Sequence, residues 1–164
     1  HVVSMVEDVY DAIRRLGSTV ALKKSGWCHN NFAPFVSELS LPNGTTLAHK
    51  ESLDLLGTVF TPDGECSEEV RSRIHKMWGR YWQLKPVFVP RHSALQARIH
   101  LYNISLRRTA LWGSGSWRLR VADARALNTA EMEIVRRIVG IKRARDEPWV
   151  QFYTRSMRLA RAVV

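Results

Sequence analysis

Residues 53–74 read LDLLGTVFTPDGECSEEVRSRI, and this stretch decides the fold class. Leu53 to Phe60 is short, apolar and rich in strand formers, so it predicts a β-strand. Gly57 inside it marks a bulge or a close backbone approach. Thr61-Pro62-Asp63-Gly64 then turns the chain, with Pro presetting φ and Asp-Gly accepting turn geometry. Ser67 with Glu68 and Glu69 opens a helix, because a hydroxyl and first-turn carboxylates match the free amides and the dipole of a helix start. Strand, turn and helix in succession predict a change near Gly64 from a β-containing part to a helical one.

Working downstream, Val70, Ile74, Met77, Trp78 and Tyr81 recur at helical spacing, with Arg71, Arg73, Lys76 and Arg80 expected on the remaining faces and Pro86 as the stop. Ser93 is placed to cap a third helix through Leu95, Ile99, Tyr102 and Leu106 to Arg107 and Arg108. Asn128-Thr129-Ala130-Glu131 has capping-box spacing and predicts a helix start, with Ile134, Val135, Ile138 and Val139 inward and Gly140 as C-cap. Asp146 and Pro148 suit the start of a last helix whose apolar side is Trp149, Phe152, Tyr153 and Ala160. Upstream, Val6, Val9, Tyr10, Ile13, Leu16 and Val20 mark a helix ended near Gly17. Phe35 to Leu41 and Thr45 to Leu47, separated by Pro42-Asn43-Gly44, predict a β-hairpin. The expected fold class is α+β, with a small β-containing part over residues 1–64 and a helical part over 65–164.

The charge of the chain is +10, and it is unevenly spread. Residues 1–67 hold 5 Lys/Arg against 8 Asp/Glu, and residues 68–164 hold 20 against 7, so the first part carries −3 and the second +13. A field of that sign draws polyanions, nucleic acid first and acidic membrane surfaces second; a merely solubilising surface is the bland alternative. The basic part also carries Trp78, Tyr81, Trp82, Tyr102, Trp112 and Trp117, a mixture that suits phosphate contact with base stacking. Aromatic residues at helical spacing are more often core, and Trp78 is expected there.

Other classes find no support in the motifs. No run approaches the roughly 18 apolar residues of a membrane span, and HVVSMVEDVYDA has neither a basic start nor a cleavage site. The chain is therefore expected to be intracellular, in nucleus or cytoplasm, with no membrane partner. It opens on His1, in mid-pattern of a helix, as part of a longer chain would. Cys28 and Cys66 lack CxxC spacing and are expected to be plain thiols. His29, His49, His75, His92 and His100 have no partner at metal spacing in the sequence, so no metal site is expected. GxSxG, Walker and HExxH motifs are all lacking.

The stretch 53–74 also resembles the segment that follows the palm in reverse transcriptases of non-LTR (LINE-type) retrotransposons, where a "YLG" strand, an Asp-Gly turn and an acidic-starting helix with "RI" follow one another. Further pieces occur in the same order. GSTVALKKSGW, 17–27, is similar to "GL.iN..KT..w"; ALWGSGSW, 110–117, to "LLYGCETW"; and EMEIVRRIVGI, 131–141, to "fe.r.lRrilgi". The resemblance covers nearly the whole chain. Two positions depart from it: Ala21 stands where the family has Asn, and Ser116 where it has an acidic residue.

The resemblance implies the end of a palm over 1–64 and a helical thumb and connector over 65–164, gripping an RNA template and a DNA primer. It implies a palm lysine at Lys24, near the phosphates of the incoming nucleotide, and primer contact at Leu56 and Gly57. The basic residues Arg71, Arg73, Lys76, Arg80, Arg107 and Arg108 become candidate nucleic-acid contacts, since phosphate contact positions a duplex irrespective of sequence. The family's two magnesium ions are held by palm aspartates expected upstream of His1. No Asp-Asp pair occurs in the chain, so this part is expected to position substrates and not to polymerise alone. A free-standing basic nucleic-acid-binding module and a protein–protein adaptor are the alternatives.

Overall fold

The computed structural model describes residues 2–29, 38–41, 44–88 and 93–164, and the fold is mixed α+β. It divides into two compact units, 1–66 and 67–164. Among the described residues, no helix is long and apolar enough to cross a membrane.

In the first unit, α1 (Val2–Arg15) is followed by Gly17 at φ 74° and a 3₁₀ turn at Leu22–Lys24. Its expected apolar stripe is only partly used, since Val6, Tyr10 and Ile13 are half-buried while Val9 and Leu16 are exposed. Strands β1 (Glu38–Ser40) and β2 (Thr46–Ala48) pair antiparallel with Leu39 opposite Leu47, and Leu47 is buried. The expected hairpin is thus present; its residues 35–37, 42 and 43 lie outside the described residues. Trp27 forms an isolated parallel bridge with His49 just beyond β2.

Residues 53–60 are not one bulged strand. They form a second hairpin, β3 (Leu53–Leu55) and β4 (Thr58–Phe60), paired antiparallel with Leu55 opposite Thr58. Leu56 at φ 52° and Gly57 at φ 81° make the two-residue turn. Positive φ at both central positions is what the right-handed twist of a tight hairpin demands. Gly57 is therefore a turn signal, disguised because leucine, not asparagine or aspartate, precedes it. Thr61 to Gly64 does turn: the Gly64 N–H donates to the Thr61 carbonyl at 3.1 Å, and Asp63 accepts from the Glu65 N–H at 2.9 Å.

The second unit is helical. α2 (Ser67–Leu84) buries Val70, Met77 and Tyr81 with Ile74 and Trp78 beside them, as the spacing predicts, and ends before Pro86. α3 (Leu95–Leu101) runs without a break into a π-helical segment (Tyr102–Arg107) and α4 (Arg108–Ala110). α5 (Val121–Val139) and α6 (Trp149–Arg161) pack on each other. The core joins Met77 and Tyr81 of α2, Tyr102 and Leu106 of the π segment, Ile134, Val135 and Ile138 of α5, and Ala160 of α6. Gly140 at φ 77° caps α5 as expected.

Three expected helix starts are displaced. The Ser93 hydroxyl donates to the Val87 carbonyl at 3.0 Å and Ala94 holds the N-cap position of α3. Asn128 and Thr129 lie inside α5, which begins seven residues earlier, at Val121; the Thr129 hydroxyl donates back to the Arg125 carbonyl at 2.8 Å. The local capping signal is not used, since a threonine within a helix satisfies its hydroxyl on the preceding turn. Pro148, not Asp146, holds the N-cap position of α6, and Trp149 and Tyr153 are exposed while Phe152 and Ala160 are buried. Ser67, for its part, joins two helices: its hydroxyl donates to Asp123 in the first turn of α5 at 2.9 Å.

Candidate nucleic-acid interface

The expected basic face of α2 resolves into residues with different roles. Arg71 is exposed, with its Nε donating to the Ser67 carbonyl at 3.3 Å, and Lys76 is exposed. Arg73 is not on a solvent face. Arg73 and Glu69 are buried one turn apart and ion-paired, the Arg73 Nε donating to the Glu69 carboxylate. Expected among the phosphate contacts, Arg73 is corrected by its burial to an internal partner of Glu69. The signal is present in the sequence as Glu–Arg at i, i+4, but which face of the helix is covered depends on what packs there.

Arg80 is exposed, and its Nε donates to the Ser105 hydroxyl of the π segment at 3.0 Å while Nη1 reaches Gln83 at 3.2 Å. A shallow cleft of about 420 Å³ runs between α2 and the π segment with α4. Arg80, Ser105, Arg108, Thr109 and Trp112 line it, with Arg73 at its inner side. Arg108 and Trp112 are exposed, the indole by 57%. Guanidinium groups beside an accessible indole suit a ligand that carries both an anion and a flat apolar ring.

The π segment supplies Ser105 to this cleft. A π turn widens the helix by one residue per turn and shifts the register of every later side chain. Tyr102 and Leu106 both stay fully buried across it while Ser105 meets Arg80. Arg107 falls on another side, 3.7 Å from Glu131 and 3.4 Å from the Asn103 side-chain oxygen. The Glu131 carboxylate also accepts from the buried Tyr102 hydroxyl. Burial first, and then the bond to Glu131, hold the Tyr102 phenol well above its ordinary range. Arg107 is thus paired with Glu131 at a partly exposed position, and Arg108 lines the cleft.

Other aromatic residues divide similarly. Trp78 is half-buried, with the Arg137 guanidinium 4.8 Å from its ring centre. Trp82 is 53% exposed under Lys85, 4.9 Å away, and stacks on Trp78 at 6.2 Å. Trp117 is half-buried. Arg98 carries no distinguishing signal in the sequence, yet it is buried and donates to the Ile138 carbonyl near the C-terminal end of α5, a structural use of a cation at a helix end.

The remaining expected residues belong to the first unit. Lys24 is exposed in the 3₁₀ turn, its carbonyl accepting from the Lys50 ammonium at 3.4 Å. Leu56, 86% exposed, and Gly57 form the tip of the β3–β4 hairpin. An apolar side chain held in left-handed backbone on an exposed tip is strained at a cost of about 1–2 kcal/mol, and such strain gathers at contact sites. No protein-family model, curated protein or solved structure matches this chain.

Proposed function

We propose that the chain is the palm end and thumb of a non-LTR-type reverse transcriptase, and that its helical unit holds the template–primer duplex through α2 and the π segment. The observation that carries this is the cleft lined by Arg80, Arg108 and the exposed Trp112, on a unit whose residues 68–164 carry +13. The order of the motifs from Gly17 to Ile141 supports it. Lys24 and the Leu56–Gly57 tip are assigned to the incoming nucleotide and the primer end in the complete enzyme.

The role of this part is positioning. The sequence has no Asp-Asp pair to hold the magnesium ions of phosphoryl transfer, so no bond-making step is assigned to its residues. Given primer, template and magnesium, the chain by itself extends no primer. A recruited, free-standing nucleic-acid-binding module would use the same cleft and differs only in what accompanies it.

The test is binding of an RNA–DNA duplex as a function of salt, with Arg80→Gln/Arg108→Gln beside the parent. Each phosphate contact adds roughly 0.9 to the slope of log affinity against log salt. The double variant is expected to bind all sequences more weakly and to flatten that slope by about one unit for each phosphate it no longer neutralises. Both residues are exposed, so its melting temperature should hardly move. An unchanged slope removes the cleft from the binding surface, and salt-independent binding by the parent removes the function.

A further inference from the structure

The cleft between α2 and the π segment is ordered as well as charged. Arg80 is fixed by two side chains, its Nε donating to the Ser105 hydroxyl at 3.0 Å and its Nη1 to the Gln83 side-chain oxygen at 3.2 Å, and neither bond uses Nη2. Ser105, which accepts from Arg80, keeps a hydroxyl proton to donate. On the other wall Arg108 precedes Trp112 by four residues, and the Leu111 N–H still donates to the Arg107 carbonyl at 2.9 Å. An exposed guanidinium and an exposed indole therefore leave the backbone about one helical turn apart, roughly 5.4 Å.

Size and wall chemistry narrow what the cleft takes. Its volume of about 420 Å³ lies near the lower end of the roughly 300–1,000 Å³ of small-ligand sites, room for one base with its phosphate and not for a run of base pairs. Trp112, 57% exposed, and Ile104, 45% exposed, line it with apolar surface that suits the flat face of a base. Within a duplex those faces are stacked on neighbouring pairs, and only base edges reach the grooves. A base becomes available to an aromatic side chain where it is unpaired and unstacked. We infer that the cleft takes one unpaired nucleotide, its phosphate on Arg80 and Arg108 and its base against Trp112, so that the helical unit recognises the junction where a strand leaves a duplex.

This assignment rests on the nucleic-acid function proposed above and narrows it. Stacking on a ring accepts any base, unlike hydrogen bonds to base edges, so the cleft reads strandedness and not sequence. Affinity for the paired part comes from phosphate contact and carries the salt dependence. An indole adds no charge to it. The contribution of Trp112 is therefore separable from the grip on the duplex.

The experiment is equilibrium binding of the whole chain, by fluorescence anisotropy, to dye-labelled RNA–DNA duplexes: one blunt, one with a single unpaired nucleotide at a 3′ end, one with it at a 5′ end, and each overhang repeated with an abasic residue that keeps the phosphate. At least one overhang is expected to bind the parent about 5- to 150-fold more tightly than the blunt duplex, since one stacked base is worth about 1–3 kcal/mol and about 1.4 kcal/mol is tenfold. The abasic form should lose that gain. Trp112→Ala should lose it too, with blunt-duplex affinity and salt slope unchanged, and Trp112→Phe should keep most of it. Equal binding of blunt and overhang duplexes by the parent, or an abasic overhang bound as tightly as the base-bearing one, would overturn the inference without recourse to any variant, as would a gain that survives in Trp112→Ala. Where the parent binds all the duplexes alike with a steep salt slope, the inference alone falls; where it binds none of them, the function falls with it.

Discussion

Replacing Arg73 by glutamine removes the cation from a pair in which Glu69 is 1% and Arg73 5% exposed. A carboxylate so placed cannot return to water without opening α2, and loss of one partner of a buried pair costs about 3–5 kcal/mol. Against a total stability of about 5–15 kcal/mol for a typical domain, roughly a third is lost. With a urea slope of about 2 kcal/mol/M, a loss of about 4 kcal/mol lowers the unfolding midpoint by about 2 M. Arg71→Gln, on an exposed face of the same helix, should stay within about 0.5 kcal/mol of the parent. Removing both charges together, Glu69→Leu with Arg73→Met, should recover most of the loss, because two apolar side chains of similar volume replace a buried pair at little cost. Urea unfolding followed by far-ultraviolet circular dichroism measures all three. An Arg73→Gln midpoint within about 0.5 M of the parent would refute the internal role and return Arg73 to the candidate phosphate contacts.

Leu56→Asn should raise stability by about 1 kcal/mol, since asparagine tolerates left-handed backbone and suits the first position of a type I′ turn; a lower melting temperature would show that the leucine side chain stabilises the tip. Glu147 accepts two hydrogen bonds from Arg155 at 2.8 Å and one from the Ala144 N–H at 3.2 Å, and the Arg155 bonds, foremost, hold its carboxyl down at about 2. Because the folded value lies below the ordinary one, the stability it contributes is present above about pH 4.5 and is lost as pH falls toward 2. A carboxyl titration by NMR should find the low value in the parent and an ordinary one in Arg155→Gln; no difference between the two would dismiss the pairing.

Much of the architecture is legible in local sequence. The α2 stripe, the Pro86 stop, the Gly140 cap, the first hairpin and the Thr61–Gly64 turn all depend on periodicity or on residues whose backbone preferences act within a few positions. So does the candidate interface in outline, because +13 over residues 68–164 is a property of composition. Within that outline, however, Arg73, Arg80, Arg107 and Arg108 are the same residue type at neighbouring positions of two helices.

Only packing assigns them their different roles. Arg73 turns inward to Glu69, Arg107 is drawn to Glu131, and Arg80 and Arg108 are left facing a cleft. The π segment that precedes Arg108 has no sequence signature read at the scale of one turn. The capping box at Asn128 fails because α5 already begins at Val121, so the Thr129 hydroxyl lies inside the helix and donates to the Arg125 carbonyl one turn back. His29 and His49 show the limit most clearly. Their 20-residue separation carries no local signal, and their meeting at 3.1 Å follows from backbone pairing at Trp27. Short-range chemistry is therefore written in the sequence, whereas which like side chains are buried, and which distant ones touch, is decided by the tertiary structure, since burial is shared among elements that no local pattern relates.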